Sequence, residues 1–274
     1  MFIDAHLPDK SDWTDSAKRA AFAQAKADKV REHALDGVFF DYEGNDLDAA
    51  HKQAYVQLAK DTSKALAALE NNNATIFICV GGRPTYEWRD YPYADLAAHS
   101  EFLFIMGYDM HFWDDYTCVL KGTCSAAEAA LPDLQDGVKA YAAAVDPQKL
   151  VLGLPWYGQR YTDVVLPFNR GQIDYKTVLQ AFDQKGLVAK KELDKTAMSW
   201  KITCKGSCDV ESGKGGNVVY YDDAETLAPK YALAREHGLL GVGMWKADNL
   251  PVPDDKGHDP HKAERQAMWS AIAS

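Results

Sequence analysis

The chain reads as an α/β protein of the (β/α)8 TIM-barrel class, on three observations. Short apolar runs rich in β-formers alternate with longer, polar, Ala-rich stretches of helical character along its 274 residues, the pattern of parallel strands joined by crossover helices. No G-x-G-x-x-G or Walker glycine pattern follows any apolar run, as a doubly wound nucleotide fold would usually show. Residues able to do chemistry collect instead at the carboxyl ends of the runs: Asp41 and Glu43, Tyr108 and Asp109, Trp156 and Tyr157, and Trp245. Such residues at the exits of several strands mark a barrel mouth.

The predicted strands are Met1 to Ala5, Gly37 to Tyr42, Thr75 to Val80, Phe102 to Tyr108, Leu150 to Pro155 and Leu239 to Trp245. Between them the sequence predicts helices over Ser16 to Ala34, Ala49 to Asn71, Ala126 to Val145, Lys176 to Lys185 and Asp223 to His237. A barrel needs eight strands, so six predict that the first two βα units are lacking from this chain. Over about residues 193–222 the pattern changes. Met198 to Cys204 and Asn217 to Tyr221 read as paired strands joined by a Gly/Lys/Ser turn, a small β-rich insertion before the last strand. The whole of residues 1–274 is read as a single, partial barrel domain.

Composition narrows the function. Thirty Lys and Arg stand against 40 Asp and Glu, a net charge of −10, so the chain has no field to attract nucleic acid or an anionic membrane surface. Hydrophobic residues at 47% and charged residues at 26% exclude a disordered or fibrous chain, and no apolar run approaches the ~18 residues of a membrane span. Five cysteines include two close pairs, Cys118 with Cys124 and Cys204 with Cys208. Each pair brackets a turn that suits a small disulfide loop better than a zinc site. Cys79, within an apolar run, reads as a buried free thiol. With the sequon Asn73-Ala74-Thr75, these features predict a secreted or lysosomal setting, although Met1-Phe2-Ile3-Asp4 is not a secretory signal.

The most informative segment is Leu35-Asp36-Gly37-Val38-Phe39-Phe40-Asp41-Tyr42-Glu43. Strand alternation puts Phe39, Asp41 and Glu43 on one face and Val38, Phe40 and Tyr42 on the other. Two carboxylates about 7 Å apart at the end of an apolar strand are costly unless solvated, paired or used. Like charges that close push one pKa upward, which predicts a general acid beside a stabilising carboxylate.

Asp36-Gly37-x-x-x-Asp41-x-Glu43 resembles the D-G-x-D-x-D-x-E signature of glycoside hydrolase family 18, the chitinases and their relatives. Met106-Gly107-Tyr108-Asp109 resembles the family's M-x-Y-D strand end. Gly153-Leu154-Pro155-Trp156-Tyr157-Gly158 resembles its G-x-P-x-Y-G segment, and Gly241-Val242-Gly243-Met244-Trp245 its final-strand tryptophan. The four motifs occur in order along essentially the whole chain. Within the family the likeness is greatest to the lysosomal, chitobiose-cleaving branch, in which Met1 to His6 would be the third barrel strand.

The resemblance implies cleavage of β-1,4-linked N-acetylglucosamine, in the chitobiose core of Asn-linked glycans or in chitin oligosaccharides, by a monomer with no cofactor and no metal. It makes Glu43 the general acid and has Asp41 accept a hydrogen bond from the substrate acetamide nitrogen. Tyr108 would hold the acetamide oxygen, and Trp245 would form the floor under the reacting sugar. Met106, Asp109 and Tyr157 would line the same subsite, with Asp222 contacting the sugar from the insertion. Two carboxylates on one strand approach from one side, so neither can be the opposite-face nucleophile of an ordinary retaining glycosidase; the substrate's own acetamide can. One departure stands out. Phe39 occupies the family's middle acid position, and a phenyl ring cannot hydrogen-bond Asp41. That leaves two readings, an enzyme with an altered pH profile or a sugar-binding, lectin-like relative. His258-Asp259-Pro260-His261 reads as a solvated loop rather than a metal site. His111 reads equally as a pocket residue or an exposed loop histidine, and Trp88 as a ring stacking on a distal sugar or as a cover over loop apolar surface.

Overall fold

The computed structural model describes residues 1–45, 47–70, 73–84, 89–110, 127–161, 169–213 and 216–273. Cys118, Cys124, His111, Trp88 and part of the turn before Asn217 lie outside them. The chain divides into two compact units: Met1–Met106 with Gly137–Leu152 and His237–Gly241, and Gly107–Asp136 with Gly153–Glu236 and Val242–Ser274.

The first unit holds β1 (Phe2–Asp4), α1 (Ser16–Glu32), β2 (Gly37–Phe40), α2 (Ala49–Ala67), β3 (Thr75–Gly81), α3 (Tyr93–Ala98), β4 (Phe102–Met106), α4 (Leu131–Ala144, from Gly137 onward) and the opening residues of β5 (Leu150–Pro155). Strands β1 to β4 pair in parallel, with Ile3 opposite Val38, Val38 opposite Ile76 and Ile78 opposite Leu103. Val38, Phe40, Ile76, Ile78, Val80, Leu103 and Ile105 are fully enclosed, as expected of parallel strands buried beneath helices. Asp15 caps α1 through Ala17 N and Lys18 N, and Asp48 caps α2 through His51 N. Each carboxylate satisfies helix-end donors that have no partner within the helix. An aromatic cluster fills the space beside β2: Trp13 stacks on Tyr55 at 5.0 Å, and Tyr42 meets Trp13 edge-on at 4.8 Å.

The second strand ends at Phe40, two residues before the expected Tyr42, so Asp41 and Glu43 lie in the loop just past it. Charged groups gain from leaving the enclosed sheet for solvent. The backbone there is held by a side chain instead: Tyr91 directs its hydroxyl at Tyr42 O (3.1 Å) and Gly44 O (2.5 Å).

The second unit contains β6 (Tyr157–Tyr161), β7 (Asn169–Asp174), α5 (Tyr175–Asp183), β8 (Val188–Asp194), β9 (Ser199–Cys204), β10 (Val218–Tyr221), α6 (Ala224–Glu236), all but the first residue of β11 (Gly241–Trp245), and α7 (Lys262–Ala273). Strands β6 to β10 form an antiparallel sheet in the order β7-β6-β10-β9-β8. Tyr220 lies opposite Gln159 on one side and Lys201 on the other. The sheet starts at Tyr157, well before the span at about 193–222 where the sequence signals a change. The strands β6 to β8 lack a long apolar run; β8, Val188 to Asp194, is largely exposed. Cys204 and Cys208 form a disulfide just after β9. The parallel sheet carries the order β1-β2-β3-β4-β5-β11, all six predicted strands. Among the described residues no helix is long and apolar enough to cross a membrane.

Candidate active site

The residues singled out above fall into two groups, one within each unit. In the first, β2 delivers Asp41 and Glu43 past its carboxyl end. Phe39, one alternation earlier on the same face, stacks on Phe77 with ring centroids 5.2 Å apart, and Phe77 stacks in turn on Phe102 at 4.9 Å. The middle acid position is therefore part of an aromatic column, which offers Asp41 no hydrogen-bonding group.

Asp41 is accordingly a poor anion. Partial burial, then the charges of Glu43 and Asp4, push its pKa up to about 6, against the opposing pull of Arg89. Glu43 has a cationic partner: Arg89 Nη2 donates to Glu43 Oε2 at 3.1 Å. Arg89 is fixed through its own carbonyl, which accepts from Tyr93 Oη (2.5 Å) and Tyr91 N (3.0 Å). Asp41, Asp4, His6, Asp9 and Tyr42 line a cavity of about 630 Å³. Cys79 is a buried free thiol, its pKa raised by burial and by the carboxylates of Asp41, Glu43 and Asp4. Met106 closes β4, buried, opposite Gly81.

In the second unit Tyr108 and Asp109 form a corner after β4. Asp109 takes φ +51°, the left-handed region that a residue with a side chain enters at some cost. Its N–H donates to Glu128 Oε1 at 2.6 Å, and Tyr157 Oη donates to the same oxygen at 2.8 Å. Gln159 Nε2 donates to Asp109 Oδ1 at 3.1 Å. The rings of Tyr108 and Tyr157 meet edge to face at 6.3 Å. Glu128 is 2% exposed. Burial and the facing Asp109 carboxylate hold its pKa well above the ordinary glutamate value.

Trp245 ends β11 and is 45% exposed, an apolar face presented to solvent. Its carbonyl accepts from Trp156 N at 2.8 Å, and the Trp245–Lys246 peptide is cis. Asp222, expected at the sugar, lies elsewhere in character. It is 1% exposed, and its Oδ2 accepts from the equally buried Lys230 Nζ at 2.7 Å. Burial raises the Asp222 pKa and lowers that of Lys230, so this is an enclosed ion pair. In the loop around His258, Asp254 accepts from His258 N, Asp259 pairs with Arg265, and His261 Nε2 lies 2.9 Å from Asp183.

Sequence reasoning named Asp41, Glu43, Tyr108, Asp109, Tyr157 and Trp245 but missed Arg89, Tyr91, Glu128 and Lys230. Arg89 and Tyr91 lie past β3, 46 and 49 residues in sequence from their partners Glu43 and Tyr42 just past β2. The one available signal for Glu128 was a lone acid in the apolar run Ala126-Ala127-Glu128-Ala129-Ala130.

The sequence model of Glycosyl hydrolases family 18 matches residues 10–249. Di-N-acetylchitobiase of Mus musculus is 25% identical over 281 residues, covering 94% of this chain and 72% of the relative. A probable di-N-acetylchitobiase of Dictyostelium discoideum is 27% identical over 282 residues, 92% and 68% of the two chains. Among solved structures, a chitinase from Cycas revoluta in complex with (GlcNAc)3 superposes with TM-score 0.73 at 21% identity, covering 96% of this chain and 75% of that one. A chitinase-like agglutinin from Robinia pseudoacacia superposes with TM-score 0.71 at 21% identity, again over 96% and 75%.

Proposed function

The chain belongs to glycosyl hydrolase family 18, and from that membership we propose that it hydrolyses β-1,4-linked N-acetylglucosamine, with chitobiose-type substrates, by substrate-assisted retention. The single observation carrying this reading is the Asp41–Glu43 pair just past β2: an intact acid beside a carboxylate whose proton affinity is raised towards neutrality, to about 6. The relatives named di-N-acetylchitobiase support the substrate class.

In this mechanism Glu43 protonates the glycosidic oxygen. The acetamide oxygen attacks the anomeric carbon, closing an oxazolinium ring as the glycosidic bond breaks, and Asp41 stabilises the positive charge through the acetamide N–H. The intramolecular attack gains the proximity advantage of a held reactant. Water then adds to the anomeric carbon, Glu43 takes its proton, and the ring opens with retention. Tyr108 orients the acetamide oxygen, Trp245 offers its exposed ring to the sugar, and Met106, Asp109 and Tyr157 shape that subsite. Asp222, enclosed on Lys230, contributes to the frame beneath it. A TIM-barrel architecture belongs to the same proposal; the six strands of the parallel sheet and the superposition on a chitinase support it. A lysosomal or secreted setting for a glycosylated monomer is part of the reading, supported by the disulfide Cys204–Cys208.

A second reading rests on Phe39. Its stack on Phe77 removes the acid that would relay a proton to Asp41, and a protein that binds such sugars without cleaving them would tolerate that loss. Hydrolysis of a chromogenic chitobioside decides between them. The enzyme reading expects turnover that falls by about 10²–10⁴-fold in Glu43→Gln. Chitobiose binding without turnover, abolished in Trp245→Ala, establishes the lectin, and absence of both turnover and binding overturns the two readings together.

A further inference from the structure

The second unit contains a buried carboxyl group that the proposed mechanism does not use. Glu128 comes from the turn before α4, is 2% exposed, and spends one oxygen on two donors, Asp109 N at 2.6 Å and Tyr157 Oη at 2.8 Å. Both partners belong to the residues assigned to the sugar subsite, so this inference rests on that reading. We propose that Glu128 is a positioning residue, which locks the Tyr108–Asp109 corner and the Tyr157 hydroxyl into one rigid arrangement around a single carboxyl oxygen.

Three features of the site require such a lock. Asp109 sits at φ +51°, a conformation it holds only where the surroundings over-determine it. Its amide N–H has been turned towards the interior, and Glu128 Oε1 is what receives it. Tyr108 precedes this corner directly, so the aim of its hydroxyl follows from the backbone that Glu128 fixes; its ring leans on Tyr157, which Glu128 also holds.

The side chains of Glu128 and Asp109 also hydrogen-bond each other. Two carboxyl groups share a hydrogen bond only when one of them carries a proton. Asp109 is exposed and also accepts from Gln159, whereas Glu128 is enclosed and its pKa is held well above the ordinary glutamate value by burial, so Glu128 is the partner that donates. Among the described residues, the ionisable groups felt at Glu128 are Asp109, Tyr157 and, from α6, Lys230. Glu128 thus behaves as a glutamine would, accepting from Asp109 N–H and Tyr157 O–H and donating to the Asp109 side chain.

That equivalence supplies the test. In the full chain, Glu128→Gln keeps all three hydrogen bonds and should turn over a chromogenic chitobioside at close to the wild-type rate. Glu128→Leu, similar in bulk but unable to accept, should lose about 100-fold in kcat with little change in KM, the scale of a misplaced catalytic group. As pH rises, the wild type should lose activity where Glu128 ionises, and the Gln variant should lack that limb. A Gln variant as impaired as the Leu variant, or a Leu variant as active as wild type, overturns the proposal.

A second readout needs no turnover, and so separates failure of this inference from failure of the hydrolase reading. The folded-state pKa of Glu128 is raised, so its contribution to stability is complete below the unfolded value and is lost as pH rises towards the folded one. The unfolding midpoint of wild type should therefore fall relative to Glu128→Gln from about pH 4.5 upward. Parallel profiles for the two proteins overturn the proposal whether or not the substrate is cleaved.

Discussion

Arg89 Nη2 lies 3.1 Å from Glu43 Oε2, so the acid assigned to protonate the leaving group stands in the fold against a guanidinium. The same cation opposes the upward shift of Asp41. On the proposed mechanism the acidic limb of kcat/KM follows ionisation of Asp41, and Arg89→Gln should move that limb to higher pH. The ratio of activity at pH 5.5 to that at pH 7.5 should fall, and a full pH–rate profile of the variant checks this.

Asp41 should also leave a mark on stability. Its folded pKa is raised to about 6 from 3.8, so its contribution is fully present below the unfolded value and is lost as pH climbs through about 6. Asp41→Asn should unfold at a higher temperature than wild type at pH 8, with the difference shrinking as pH falls below 4. Thermal melts across that range measure the gap, and the same variant should lose most turnover because the acetamide N–H has no anionic partner.

The enclosed pair of Lys230 and Asp222, both side chains fully shielded at 2.7 Å, predicts strong non-additivity. Removing one partner strands a charge without water, so Lys230→Met or Asp222→Leu alone should each cost about 3–5 kcal/mol. The double variant should recover much of that loss, because two apolar groups leave no stranded charge. Urea unfolding of the four proteins closes the cycle.

Gly37 opens β2 at φ +152° opposite Thr75, and a Cβ placed there would lie 1.9 Å from the Thr75 carbonyl oxygen. Only hydrogen fits between the two backbones. Gly37→Ala should push β2 away from β3 and cost about 3 kcal/mol, the upper end for overpacking. Activity should fall along with it, since Asp41 and Glu43 lie in the loop that leaves the far end of the same strand. Denaturant unfolding and chitobioside turnover test the two effects in parallel.

Local pattern determined a good deal of this protein from its sequence. The apolar runs identified all six strands of the parallel sheet, because strands covered by helices carry continuous apolar runs, most completely in the enclosed β5. The Asp15 and Asp48 caps appear at the starts of the two long helices predicted there. The alternation around Phe39 to Glu43 placed both carboxylates at a strand exit, and the signature spaced around Gly37 led to the family. Each of these is carried by neighbours a few residues apart. Strands β6 to β8 escaped because their stability comes from cross-strand pairing and from one covered face, not from an apolar run of their own.

What only the tertiary structure decided is which polar groups face one another. Arg89 reaches Glu43 across 46 residues, Tyr157 reaches Glu128 across 29, and Lys230 closes on Asp222 inside the second unit although the sequence put that aspartate at the sugar. A charged side chain looks the same in a sequence whether solvent, a cation or another carboxyl group awaits it. Burial and hydrogen-bond partners are set by packing between distant segments, and they decide that the Asp41 pKa is pushed up to about 6, that the Glu128 pKa is held well above the ordinary glutamate value and that Asp222 pairs with Lys230.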